Sequence, residues 1–337
     1  MRRALLAVFV LLLAVAGGAA AVGYWGYREF TAPGPAASDV QLVIPKGAGA
    51  SAIAAHLAGA GVVADPLIFK LGARIFAEGR PLKAGEYLFP ARISPRAAME
   101  LLLDGKTVAR RLTVAEGLTS REVLALVADA EAMAGEVPAT PPPEGGLLPE
   151  TYHYSRDDDR AALVARMAES MQAALDELWP ARAEGLPIAT PEEAVILASI
   201  VEKETGVASE RPRVAAVFVN RLNKGMPLQS DPTVIFALTK GEAPLGRTLT
   251  RADLTLDDPY NTYAIPGLPP GPIANPGKAA LAAVLQPAQT RELYFVADGS
   301  GGHAFAETLD EHNRNVAAWR KLQKTNAAAN GQGTATP

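Results

Sequence analysis

The spacing of hydrophobic and polar residues divides the chain into distinct segments. After Arg2 and Arg3, the string "ALLAVFVLLLAVAGGAAAVGYWGY" carries no charge from Ala4 to Tyr27. A run of that length can cross a hydrocarbon core of about 30 Å as one helix. A Pro/Ala/Ser spacer, Thr31 to Asp39, leads away from it. The period then changes. "VQLVIPKG" reads as a strand ending at Gly47, and "SAIAAHLAGAG" as a short helix stopped by glycine. "DPLIFKLGARIF" predicts a second helix with Asp65 as N-cap and Pro66 at its first position. "GEYLFP" returns as a strand, and "SPRAAMELLLDGK" adds a capped helix. An echo follows: "TVAEGLTSREVLALV" runs strand, glycine turn, helix, as "VIPKGAGASAIAAHL" does, and predicts a second small α/β subdomain. The Pro/Gly-rich stretch 135–150 reads as an exposed loop, and the largest region begins near Asp157. The tail "KTNAAANGQGTATP" has no apolar periodicity and is expected to be disordered.

This pattern predicts an α+β chain in six parts. They are a cytoplasmic stub and transmembrane anchor (1–27), a linker (28–39), a βααβ module (40–107), an intermediate subdomain (108–156), a large third region (157–322) and a disordered tail (323–337). The basic N-terminus places that end in the cytoplasm and the remainder outside. Tyr24, Trp25 and Tyr27 suit the far interface. A cleaved signal peptide is the competing reading, because "GGAAA" offers small residues for a cut. Either way the remainder is exported.

One helix stands out for its chemistry. "TPEEAVILASIVEKETG" opens on Thr190 as N-cap, with Pro191 next and Glu193 completing a capping box, and Gly206 stands just past its end. The helix is apolar nearly throughout yet finishes with Glu202 and Glu204. Residues two apart lie about 200° around a helix, so these two cannot form a matched acid/base pair. Glu202 falls with Ser199 and Lys203 on a polar stripe, while Glu204 lies over Leu197, Ile200 and Val201. A carboxyl there is poorly solvated and sits at the negative end of the helix dipole, so its pKa is expected to rise. A general acid needs that property. The alternative is two glutamates that simply fray into solvent.

Composition narrows the classes. The chain has 337 residues, 49% apolar, enough for two or three domains. A net charge of −4 argues against nucleic acid as a partner. Without cysteine there are no disulfides, thiolate catalysts or Cys-based zinc sites. His56, His153, His303 and His312 form no metal-binding spacing, and "GSGG" opens no helix, so neither metal nor cofactor is predicted. Downstream of the glutamates, "SERPRVAAVFVNRL" predicts a helix capped by Ser209. The cluster Gln229, Ser230 and Asp231 precedes Pro232, and Asn261, Thr262 and Tyr263 sit in a loop stiffened by proline and glycine. Their amides, hydroxyls and ring suit sugar binding. Asp231 can also be read as a turn residue before Pro232, or as the second carboxylate of a hydrolase.

The strand–helix–helix–strand order of residues 40–107 resembles a LysM module, a small glycan-binding unit. The blocks "ASIVEKETGVASERPRVAAVFVNRL", "GMPLQSDPTVIFAL", "YNTYAIPGLPPGPIANPG" and "LYFVADGSGGHAFAETLDEHN" together resemble the MltG (YceG-like) family of membrane-anchored endolytic murein transglycosylases. "GLLPETYHY" is similar to another family segment, with Leu148 where an aromatic is frequent, and Phe236 stands where the family often has tyrosine. The resemblance implies a lysozyme-like catalytic core, mostly helical with a small antiparallel sheet. It places the catalytic acid at Glu204, with Thr205 where other lytic transglycosylases carry serine. It also implies peptidoglycan strands as substrate, an inner-membrane location, and penicillin-binding proteins and glycan polymerases as partners. From the residues alone two alternatives stay open: a two-carboxylate murein hydrolase and a non-catalytic glycan-binding scaffold.

Overall fold

The computed structural model describes residues 2–331. By internal contact the chain forms two compact units. One holds the residues up to Arg110 together with 132–134 and 153–158; the other holds 111–131, 135–152 and the residues from Asp159 onward. The predicted subdomain 108–156 is therefore not a unit of its own.

The first unit begins with helix α1 (Arg2–Thr31), whose stretch from Leu5 is long and apolar enough to cross a membrane. Strand β1 (Val40–Ile44), helices α2 (Ala50–Gly59) and α3 (Pro66–Phe76), strand β2 (Gly85–Phe89) and helix α4 (Pro95–Asp104) follow. β1 and β2 pair antiparallel, Val40 opposite Phe89 and Ile44 opposite Gly85. The local rules hold where they were clearest. Asp65 accepts from the Leu67 amide at 2.7 Å with Pro66 at the first position of α3, and Ser94 caps α4 through the Ala97 amide at 3.2 Å. Leu57, Phe69, Tyr87, Phe89 and Leu102 form the buried core.

Phe30, in the last turn of α1, belongs to that core. Its ring stacks on Phe76 at 5.5 Å and passes so near Gly72 that a Cβ there would strike it. The Pro/Ala/Ser spacer after α1 is bonded to the module it leads into. The Gly34 amide donates to the Arg92 and Ile93 carbonyls at 3.1 Å, and the Arg92 amide donates to Ala36 at 2.8 Å. Only glycine allows this approach, since a Cβ at residue 34 would meet the backbone oxygens of Val62 and Ile93. Buried Glu86 is held by Arg110 at 2.5 Å and Arg156 at 3.2 Å, and the Arg110 hydrogen bond above all draws its pKa down to about 2.

Strands β3 (Arg110–Thr113) and β4 (Thr151–Tyr154) lie where the chain changes unit. The second unit is built from helices α5 (Ser120–Ala128), α6 (Arg160–Leu178), α7 (Pro191–Glu204), α8 (Arg211–Asn223), α9 (Asp231–Thr239) and α10 (Lys278–Leu285). The antiparallel strands β5 (Tyr294–Ala297) and β6 (His303–Ala306) and helix α11 (Leu309–Gly331) complete it. α7 is the central rod: every residue from Ala194 to Val201 is buried, packed with Phe218 of α8 and Leu281 and Val284 of α10.

Three expectations fail here. The 135–150 stretch is not surface throughout, because Leu147 and Leu148 are buried and Asn275 accepts from the Leu147 amide at 2.9 Å. Ser209 does not cap α8. It lies in a 3-10 turn, Ala208–Glu210, from which α8 continues without a side-chain cap. The predicted disordered tail is helical as far as Gly331, its alanine and lysine sustaining a helix by propensity without an apolar stripe. Residues 332–337 of that prediction lie outside the described residues.

Candidate active site

α7 sets the site by where it starts and stops. The Thr190 hydroxyl accepts from the Glu193 amide at 3.2 Å, while the Glu193 carboxylate turns to the Ala189 amide at 2.5 Å, so only half of the predicted capping box forms. At the other end Thr205 leaves the helix in extended conformation. Its buried hydroxyl accepts from the Val207 amide at 3.0 Å and so closes its own turn.

The two glutamates diverge, but of the polar stripe predicted around Glu202 only Lys203 is exposed. Ser199 is wholly buried, accepting from the Ile273 amide at 3.0 Å and donating to the Ile196 carbonyl at 2.7 Å. The Glu202 side chain is 4% exposed. It accepts from the Gly277 amide at 2.9 Å and from Arg211 at 3.3 Å, and Arg211 also binds Glu116 at 2.9 Å. This side of α7 is a seam against the 273–277 segment: small polar groups bury there because each meets a backbone partner. Burial pushes the Glu202 carboxyl up, but its oxygens are committed to structure.

Glu204 is half-buried at the last position of α7. Its Oε1 accepts from Ser230 Oγ at 2.5 Å. Burial pushes its pKa up most strongly, the Ser230 hydrogen bond opposes it, the Asp231 charge adds to the rise, and His303 and Arg221 pull down. Such a carboxyl can hold a proton at a pH where an exposed glutamate has lost it, then bear charge briefly with Ser230 donating to it.

Ser230 owes its position to a small hydroxyl network. It precedes α9 as N-cap, 1% exposed, without a side-chain cap bond of its own. Its amide donates to Thr262 Oγ1 at 3.0 Å, Thr233 donates to its carbonyl at 2.7 Å, and the Thr233 and Thr262 hydroxyls stand 2.8 Å apart. Gln229 is exposed and adopts left-handed backbone, φ +54°. Its amide donates to the Thr262 carbonyl at 3.1 Å, and its Oε1 accepts from Arg221 at 3.3 Å. Asp231, exposed in the first turn of α9, accepts from the Tyr263 hydroxyl at 2.6 Å. Burial, reinforced by Asp231, pushes the Tyr263 phenol up. Asn261 does not face a groove: it is fully buried, donates to the Leu254 and Leu256 carbonyls at 3.1 and 2.8 Å, and accepts from the Tyr263 amide at 3.0 Å. It shapes the loop that presents Tyr263.

Three contributors escaped the sequence reading. Arg221 donates to the carbonyls of Leu293 at 2.7 Å, Pro227 at 3.1 Å and Leu228 at 2.9 Å, fixing the approach to Ser230. Its signal was present: Val214, Val217, Phe218 and Arg221 share one buried helix face, where a charge must have partners. Thr233 and the Glu210–His303 pair, 2.7 Å apart, had no local signal.

Residues 42–318 match the model of the YceG-like family, a span that includes β2, α7, α9 and the loop with Tyr263. This chain belongs to the YceG-like family. Similar proteins include the endolytic murein transglycosylase of Bacillus subtilis (strain 168), 31% identical over 307 residues, 82% of this chain and 84% of that protein. The endolytic murein transglycosylase of Streptococcus pneumoniae serotype 2 (strain D39 / NCTC 7466) is 30% identical over 363 residues, 92% of this chain. The alignment spans 63% of that pneumococcal protein's length. A crystal structure of a YceG-like protein from Listeria monocytogenes aligns at 29% identity over 82% of this chain and 98% of that one, with a TM-score of 0.49. Glu204, Ser230 and Tyr263 all lie inside the YceG-like span.

Proposed function

We propose that this chain is an endolytic murein transglycosylase, held in the cell membrane by α1 with its catalytic unit on the extracytoplasmic side. The observation that carries the reading is Glu204: a carboxyl raised by burial and held by Ser230, in a YceG-like chain with relatives of that name. The α7–α10 bundle with β5–β6 serves as a lysozyme-like core, and the β1-α2-α3-β2 unit as a LysM-like module. The substrate is nascent peptidoglycan, and the neighbours are penicillin-binding proteins and glycan polymerases.

In the mechanism, protonated Glu204 donates to the oxygen that joins MurNAc C1 to GlcNAc. The C1–O bond breaks and the GlcNAc hydroxyl leaves with that proton. The Glu204 carboxylate, steadied by Ser230, then takes the proton of the MurNAc C6 hydroxyl as its oxygen bonds to C1 and closes a 1,6-anhydro ring. An internal nucleophile needs no second carboxylate to activate water. Gln229 and Tyr263 border Ser230 and Asp231 and are proposed to hold the sugar, with Thr262 and Asn261 positioning them.

Asp231 favours one other reading, because its charge acts on Glu204. As a second carboxylate it would make the enzyme a hydrolase. Its bond to Tyr263 instead suits a role in fixing that ring. Digestion of purified murein tests both: 1,6-anhydro ends support the transglycosylase and reducing ends the hydrolase. Replacing Glu204→Gln is expected to lower product release by about 10²–10⁴-fold, the usual worth of a general acid. Unchanged release from a folded Glu204→Gln protein removes Glu204 from the mechanism.

A further inference from the structure

The last turns of α1 and one face of α3 leave an apolar surface open. On α3, Leu67, Leu71 and Ile75 stand one above another at four-residue spacing and are 57%, 45% and 67% exposed. α3 already has an inward face, with Phe69 and Ala73 buried in the core, so this stripe is surplus to folding. At about 100° per residue the stripe covers an arc of roughly 80°. On one side it borders Gly72 and Phe76, which meet Phe30 of α1. On the other stand Lys70 and Arg74, both exposed.

The stripe's level is fixed by its neighbours. Leu67, Leu71 and Ile75 line one groove with Val22, Gly23 and Trp25 of α1. Counting from Leu5, about 20 residues at 1.5 Å each cross a hydrocarbon core and reach Tyr24. Tyr24, Trp25 and Tyr27 are exposed there, as residues at a membrane interface are. The groove therefore opens where hydrocarbon gives way to headgroups. An apolar stripe edged by Lys and Arg is the signature of a helix lying in that boundary.

We propose that α3 is a second membrane contact: Leu67, Leu71 and Ile75 rest in the headgroup–acyl boundary of the bilayer that α1 crosses, with Lys70 and Arg74 facing anionic headgroups. The occupant is lipid, because the stripe is continuous with the exposed apolar surface of α1, stands at the depth of its aromatic residues, and carries a basic flank. The proposal rests on the reading of α1 as a membrane span.

The absence of cysteine makes the test direct. The full chain is prepared with one substitution at a time, Leu12→Cys in α1, Leu71→Cys or Ile75→Cys in α3, or Ser51→Cys on the exposed side of α2. Each is labelled with a polarity-sensitive fluorophore and placed in nanodiscs of phosphatidylcholine and phosphatidylglycerol containing spin-labelled lipids. Leu71→Cys and Ile75→Cys are expected to emit to the blue of Ser51→Cys and to be quenched by labels near the headgroup. Leu12→Cys is expected to be quenched by labels deep in the acyl chains. Quenching at Leu12→Cys without quenching at either α3 position overturns the α3 contact and leaves the span standing. Quenching at α3 without Leu12→Cys rejects the span, and the proposal that rests on it falls with it. If neither is quenched, both fall.

Discussion

At the scale of single residues the site depends on one contact, Ser230 Oγ to Glu204 Oε1 at 2.5 Å. A donor on a carboxylate favours its charged form, so this hydrogen bond opposes the rise that burial imposes. Substituting Ser230→Ala removes the donor without removing a cap bond from α9, since Ser230 makes none. The Glu204 pKa then rises further. If Glu204 must be protonated to act, activity falls as pH climbs through its pKa, so the alkaline limb of the kcat/KM profile should move to higher pH in Ser230→Ala. A profile measured on murein that stays put or moves to lower pH shows that the hydroxyl does not govern this proton. The divergence of Glu202 and Glu204 was legible from helix geometry alone. The Ser230 contact was not: it joins residues 26 apart in the chain, placed together only when α7 and α9 pack. The role of Asn261 was misread for a similar reason. An asparagine in a loop looks like a sugar ligand until its donors are found bonded to Leu254 and Leu256.

Among the elements, those with complete local punctuation were predicted closely. Asp65 with Pro66 started α3, and Ser94 with Pro95 started α4, because cap and proline act within one turn. Asp65→Ala should therefore lower the stability of the first unit by about 1 kcal/mol, read as a shifted denaturant midpoint with unchanged slope. Ser209 misled because a good cap residue was assigned to the wrong turn, and α8 begins two residues later. The end of α11 misled because amphipathic period was the criterion, whereas alanine-rich helix needs no stripe. Burial of Ser199 and Glu202 on the "polar" side of α7 was invisible, since it depends on backbone amides of Ile273 and Gly277 arriving from more than seventy residues away.

For the molecule as a whole, six sequence segments become two units, each with its own core. The boundary between anchor and linker, drawn at residue 27 from hydrophobicity, is crossed by packing: Phe30 of α1 is buried in one core with Tyr87 and Phe89. Phe30→Ala should cost the first unit about 3–5 kcal/mol, as deletion of a core phenylalanine usually does, and a chain that lacks residues 1–31 should lose as much. Thermal melts that place either variant beside the parent would disprove this coupling of anchor to core. Gly34 extends the join, its backbone lodged against the Val62 and Ile93 carbonyls. With Phe30 and Gly34 both locked, no swivel separates α1 from the β1–β2 module. Rotating the helix about its axis must rotate the module by the same angle, so one alanine inserted between Tyr24 and Phe30 would turn the module's azimuth by about 100° relative to the part of α1 before the insertion.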